Sequence, residues 1–131
     1  MVELLVHVDR YARDGWDIYN TNFDRQMAAQ HALQLVIEIA IDINVHLIVQ
    51  GGQPPPEDYY RSFLQVGRIG ILSPELAEKL APAAGLRNRI VHLYEELDQP
   101  LLFQALQEAV VEFPRYVRAI QVWMEEPEDA S

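Results

Sequence analysis

Cysteine is absent from the 131 residues, so neither a disulfide nor a thiolate metal site can form. Lysine is nearly absent: Lys79 stands alone, and nine of the ten basic residues are arginine. Positive charge is scarce overall, with 20 acids against 10 bases for a net charge of −10. Bulk electrostatics therefore oppose non-specific nucleic-acid binding, and any phosphate chemistry has to come from a local cluster. No long uncharged apolar run exists either. The richest apolar stretch, Leu35 to Val49, carries Glu38, Asp42 and His46, whereas a plain membrane span needs ~20 nearly uncharged residues. Met1 to His7 has no basic segment ahead of an apolar one, so no signal peptide is expected, and the cytoplasm is the expected location. Alternating strand patterns, internal repeats and low-complexity segments are also missing, as are H-E-x-x-H, a glycine-rich phosphate loop and G-x-S-x-G.

What is present is helical periodicity in a composition that is 50% apolar and 23% charged, enough for one packed domain. The expected organisation is a single domain over 1–124 and an acidic tail over 125–131 that should fray. Five helices are predicted. The first runs from Val2 to Trp16 or Tyr19, weakened near its end by Gly15, with Asn20 to Asn22 as a turn and Asn22 as the next cap. The second runs from Phe23 to Val49 and stops at Gly51-Gly52, ahead of a stiff proline connector. The third spans Glu57 to Gln65. The fourth starts at Ser73-Pro74-Glu75 and runs towards Tyr94, with Pro82 and Gly85 predicting a kink or short break. The fifth runs from Asp98-Gln99-Pro100 to Met124, and Pro114 should bend it. Short connections between such helices give an antiparallel bundle of four to five helices, self-contained or completed by dimerisation.

Two helices carry polar groups that a bundle core does not need. On the second, Leu33, Val36, Ala40, Ile43 and Leu47 share one face, while Gln34, Glu38, Asp42 and His46 form a line at i, i+4 spacing on the other. That line is either a narrow solvent-facing stripe or the seat of a carboxylate, Glu38 or Asp42, that receives an arginine. The fourth helix offers one. With Arg87 at 0°, Ile90 falls at about −60°, Val91 at about +40° and Tyr94 at about −20°. Arg87 thus lies within the apolar stripe, while Asn88, Arg89 and His92 face outward. Arg87 is then either a structural ion-pair partner or a positioned phosphate ligand. His92 can move a proton near neutral pH. Beside a guanidinium it has the parts for phosphodiester cleavage, with RNA supplying its own 2′-hydroxyl nucleophile and no metal or cofactor required. One histidine cannot be base and acid at once, and a symmetric dimer brings two together. His7 and His31 lack a matched donor set and are expected at the surface or in packing; His46 has no second histidine for a metal. Tyr59, Tyr60 and Phe63 can stack bases, or can be core or interface residues.

The segment Arg87-Asn88-Arg89-Ile90-Val91-His92-Leu93-Tyr94 resembles R-x-x-x-x-H-x-Y, the signature of the HepT-like branch of HEPN ribonuclease toxins. Ala32 to Ile43 is similar to that family's long second helix, and Gly70 to Ala77 to the lead into its motif helix. Together the similarity spans roughly residues 22 to 124. The resemblance implies a HEPN bundle that dimerises with two motifs facing one cleft, and metal-independent RNA cleavage with Arg87 and His92 as the catalytic pair. Asn88 is then a polar neighbour, and Glu38 or Asp42 orients Arg87. It further implies an MntA-type nucleotidyltransferase antitoxin that transfers AMP from ATP to the motif tyrosine, Tyr94. A different class of function is a non-catalytic HEPN nucleotide-binding or scaffold module for a nucleotidyltransferase. The intact Arg87 and His92 pair favours the nuclease, since a scaffold needs neither.

Overall fold

The computed structural model describes residues 1–125, except for the side chain of Tyr94. Among the described residues the protein is all-α, with seven helices, one 3₁₀ turn and no strand. In chain order these are α1 (Val2–Arg13), α2 (Trp16–Thr21), α3 (Phe23–Gln50), α4 (Tyr59–Ile69), α5 (Pro74–Leu80), α6 (Pro82–His92), the 3₁₀ turn Tyr94–Glu96, and α7 (Gln99–Glu125).

Two of the five expected helices are each divided. The first breaks at Gly15, whose φ of 90° is a conformation that residues with a Cβ rarely adopt. The break frees α2 to swing Trp16 and Tyr19 against Phe103 of α7, with ring centroids 5.7 and 5.2 Å from the phenylalanine. The turn expected over Asn20 to Asn22 therefore shrinks to Asn22. Its side chain caps α3 by accepting from the Arg25 amide at 3.1 Å. The fourth expected helix divides at Ala81. Pro82 opens α6 as its first residue because it has no amide proton to continue α5, whereas Gly85 lies inside α6 without breaking it.

The third helix is displaced from expectation. Asp58 caps it (Arg61 amide to Oδ1, 2.7 Å), so it starts at Tyr59 rather than Glu57 and extends a turn beyond Gln65 to Ile69. Gly67 does not end it. A Cβ there would lie 2.7 Å from the Ala77 Cβ, so the glycine lets α4 and α5 pack in direct contact. The last helix runs on through Pro114, which lies on its exposed side. Helix α7 includes Glu125, one residue past the expected domain end; the remainder of the acidic tail, 126–131, lies outside the described residues.

Helix α3 is the centre of the bundle, packed by α1, α2, α4, α6 and α7. By length and hydropathy it would suffice to cross a membrane. Here Leu33, Val36, Ile37, Ala40 and Ile48 are instead buried among the other helices. Leu35, Ile39, Ile43 and Leu47 are only half-buried.

Candidate functional site

Helix α6, like α4, contains no acidic residue in a chain of net charge −10. Arg89 and His92 lie in its last turn, where cations complement the negative end of the helix dipole. Arg87 is half-buried and Asn88, Arg89 and His92 are exposed, which is the helical phase read from the sequence. The helix stops at His92: Leu93 leaves helical geometry (φ −130°, ψ 31°) and the chain enters the 3₁₀ turn. The Tyr94 side chain lies outside the described residues.

The guanidinium of Arg87 faces α3. Its Nε lies 3.7 Å from Glu38 Oε1, and its Nη1 donates to Asn88 Oδ1 at 3.1 Å. Of the two carboxylates left open by the sequence, Glu38 is the one opposite Arg87. Asp42, one turn further along α3, is exposed and makes no ion pair among the described residues, as expected of a solvent-facing stripe. Glu38 is itself held by Gln34, whose Nε2 donates to Oε1 at 2.7 Å. At 3.7 Å the Arg87–Glu38 contact is an ion pair and not a hydrogen bond. Arg87 Nε, although buried, has no hydrogen-bond partner. Most of the five guanidinium donors are thus uncommitted among the described residues.

A buried polar cluster joins α3, α4 and α7, and helical periodicity alone does not reveal it. Tyr116 of α7 donates its hydroxyl proton to Asn44 Oδ1 of α3 at 2.6 Å, with the Ala40 carbonyl at 3.0 Å as alternative acceptor. Asn44 Nδ2 donates to Ser62 Oγ of α4 at 3.2 Å, and Ser62 donates to the Tyr59 carbonyl at 2.7 Å. Asn44, Ser62 and Tyr116 are all fully buried, and burial pushes the Tyr116 phenol well above its ordinary pKa. Asn44 lies one turn beyond Ala40, on the face of α3 turned to the core. That isolated polar residue was the signal available in the sequence.

Among the three aromatics at the start of α4, Phe63 is core whereas Tyr59 and Tyr60 are nearly half exposed. The Arg87 guanidinium carbon lies over the Tyr59 ring, 6.0 Å from its centroid. His7, His31 and His46 are exposed on α1 and α3. His7 approaches Arg10 (3.2 Å), and no group of three potential metal ligands exists among the described residues. Two surface grooves of about 540 and 550 Å³ are lined by neither Arg87 nor His92. Arg89 does border the first of these grooves, together with Pro82, Ala83 and Leu86 of α6.

The family model described as "Ribonuclease HepT-like" matches residues 1–120. The chain is 35% identical over 120 residues to the tRNA nuclease HepT of Aphanizomenon flos-aquae (strain 2012/KM1/D3), covering 92% of this chain and 82% of that one. It is 26% identical over 103 residues to the mRNA nuclease HepT of Shewanella oneidensis, covering 79% and 77%. The fold is similar to that of a tri-AMPylated Shewanella oneidensis HEPN toxin solved in complex with an MNT antitoxin. The TM-score is 0.77 at 22% identity, over 92% of this chain and 96% of that one. It is also similar to a toxin–antitoxin complex solved with AMP-PNP, with a TM-score of 0.74 at 23% identity over 91% and 95%.

Proposed function

Because the chain belongs to the HepT-like ribonuclease family, we propose that it is an RNA-cleaving toxin whose reaction runs through Arg87 and His92 without a metal. The observation that carries the assignment of these residues is α6 itself. It has no acid, its Arg87 is backed by Glu38 with donors to spare, and its His92 is uncovered at the helix end. In this reading the RNA 2′-hydroxyl loses its proton to a histidine and attacks the adjacent phosphorus. The bond to the 5′-oxygen breaks, and that oxygen takes a proton from a second acid. The products are a 2′,3′-cyclic phosphate and a 5′-hydroxyl. The guanidinium of Arg87 holds the phosphate as negative charge builds on its non-bridging oxygens, and Glu38 and Asn88 keep the guanidinium in place.

Five helical steps separate Arg87 from His92, which turns their side chains about 140° apart. One chain thus offers its guanidinium and its imidazole on different sides, and a two-fold dimer supplies the second histidine for the acid role. The half-buried Leu35, Ile39, Ile43 and Leu47 of α3 support such an assembly. The partner in this reading is an MNT-type nucleotidyltransferase antitoxin. Its transfer reaction joins the Tyr94 phenol oxygen to the α-phosphorus of ATP and releases pyrophosphate. The tri-AMPylated state of a fold neighbour and the motif position of Tyr94 support that assignment. The RNA substrate puts the site of action in the cytoplasm.

The test is incubation of the purified protein with total tRNA in EDTA, followed by end-group analysis. Wild type yields cyclic-phosphate ends in EDTA, and His92→Ala loses ~10²–10⁴ in rate, the usual contribution of one acid–base group. A His92→Ala protein that cleaves at the wild-type rate, or cleavage restored only by a divalent ion, overturns the assignment.

A further inference from the structure

A chain of net charge −10 cannot hold RNA by its overall field, and at the site one guanidinium is already opposed by a carboxylate. An additional, charge-independent source of affinity is needed next to Arg87, and among the described residues the Tyr59 ring lies there. We propose that Tyr59 is a substrate-binding residue on whose ring the nucleobase beside the scissile phosphate stacks; this rests on the reading of Arg87 and His92 given above.

Three features set Tyr59 apart from an ordinary surface tyrosine. Its ring lies against Arg87, 6.0 Å from the guanidinium carbon, so phosphate and base of one nucleotide can reach the two groups together. Tyr59 is 46% exposed although Phe63, one turn along the same helix, is fully buried, so its ring is not needed by the core. Its backbone is nevertheless rigidly tied to the interior. The Tyr59 carbonyl accepts from Ser62 (2.7 Å), Ser62 from Asn44 (3.2 Å), and Asn44 from Tyr116 (2.6 Å), a buried chain joining α4, α3 and α7. The Asp58 cap fixes the same turn from outside. A ring that is open to solvent on a backbone anchored to the core is a preorganised platform. Stacking is indifferent to net charge and tolerant of base identity, because every base has a π-face. The contact with Arg87 adds a cation beside the ring, which favours a nucleotide's base and phosphate at once.

The test uses an RNA stem-loop that wild type cleaves, and the same stem-loop with abasic nucleotides on both sides of the scissile phosphate. Affinity is read by fluorescence anisotropy in the cleavage-inactive His92→Ala protein, with and without Tyr59→Leu. Leucine keeps apolar cover over Arg87 but removes the π-face. On intact RNA, Tyr59→Leu weakens binding by about 5- to 150-fold, the range for loss of one stacked base, and Tyr59→Phe restores it. On abasic RNA the leucine variant binds as its parent does. Equal weakening on both RNAs means that Tyr59 acts on Arg87 and not on a base, and overturns the proposal. So does no weakening, or weakening that tracks loss of the dimer in sedimentation. A His92→Ala protein that still cleaves the stem-loop at the wild-type rate refutes the nuclease mechanism instead, so the two failures are told apart.

Discussion

Replacing Tyr116 by phenylalanine removes a single oxygen from the middle of the bundle. The ring stays, along with its edge contacts to Phe63 and Phe113 at 6.3 and 6.2 Å, so no cavity of consequence opens. What is lost is the donor to Asn44 Oδ1 at 2.6 Å in a site with no solvent access. The Ala40 carbonyl keeps its acceptor role within α3, but the asparagine oxygen is stranded. A buried acceptor left without a donor costs ~1–3 kcal/mol, and we expect ~2 kcal/mol for Tyr116→Phe. In urea, with m of ~1–3 kcal/mol/M, this lowers the midpoint by ~1 M at unchanged m. In a thermal scan it lowers Tm by roughly 8 °C for a chain of this size. In an Asn44→Leu background the same substitution should cost clearly less, because its partner is already gone. The pH profile is a second check. The phenol pKa of Tyr116 is raised in the folded state, so folding withholds a proton that the unfolded chain releases above about pH 10. The Tyr116 contribution is therefore flat below that pH and lowers stability as pH climbs beyond it. The fall is shallower in Tyr116→Phe, with the part due to buried Tyr19 remaining. A Tyr116→Phe protein within ~0.5 kcal/mol of wild type would refute this account of the cluster.

Two further outcomes concern the site. Glu38→Gln keeps the acceptor for Gln34 but removes the charge facing Arg87 across 3.7 Å. Stability should drop by no more than ~1 kcal/mol because both side chains are partly exposed. The maximal cleavage rate should fall ~10–100-fold through a misplaced guanidinium, while RNA affinity holds or rises; an unchanged rate in single-turnover assays rules out an orienting role. For Tyr94, incubation with the nucleotidyltransferase antitoxin and ATP should raise the intact mass of wild type in whole AMP units and leave Tyr94→Phe unchanged and toxic. Equal labelling of the variant places the modification on another residue.

The helices and the motif were legible because their determinants are local. Ser73 before Pro74 starts α5, Asn22 caps α3, and Pro82 divides the fourth segment, each through its own backbone chemistry. The phase of α6, with Arg87 inward and Asn88 and His92 outward, follows from 100° per residue alone. Where local signals were weak, reading along the chain fell short. Nothing near Gly15 states that Trp16 and Tyr19 form a separate helix. Their destination is Phe103, and only packing against α7 rewards the break.

The site itself was decided by which helices cross. Glu38 and Asp42 lie one turn, about 6 Å, apart on the same side of α3, and their sequence surroundings give neither a claim on Arg87. The seating of α6 across α3 selects Glu38 at 3.7 Å and leaves Asp42 in solvent. The Tyr116–Asn44 hydrogen bond joins residues 72 positions apart, and the Tyr59 ring meets Arg87 from a different helix. Helical periodicity fixes the direction of a side chain relative to its own axis. It carries no information about the neighbouring axis, so the chemical groups of this protein were written in its sequence and their partners were set by the bundle.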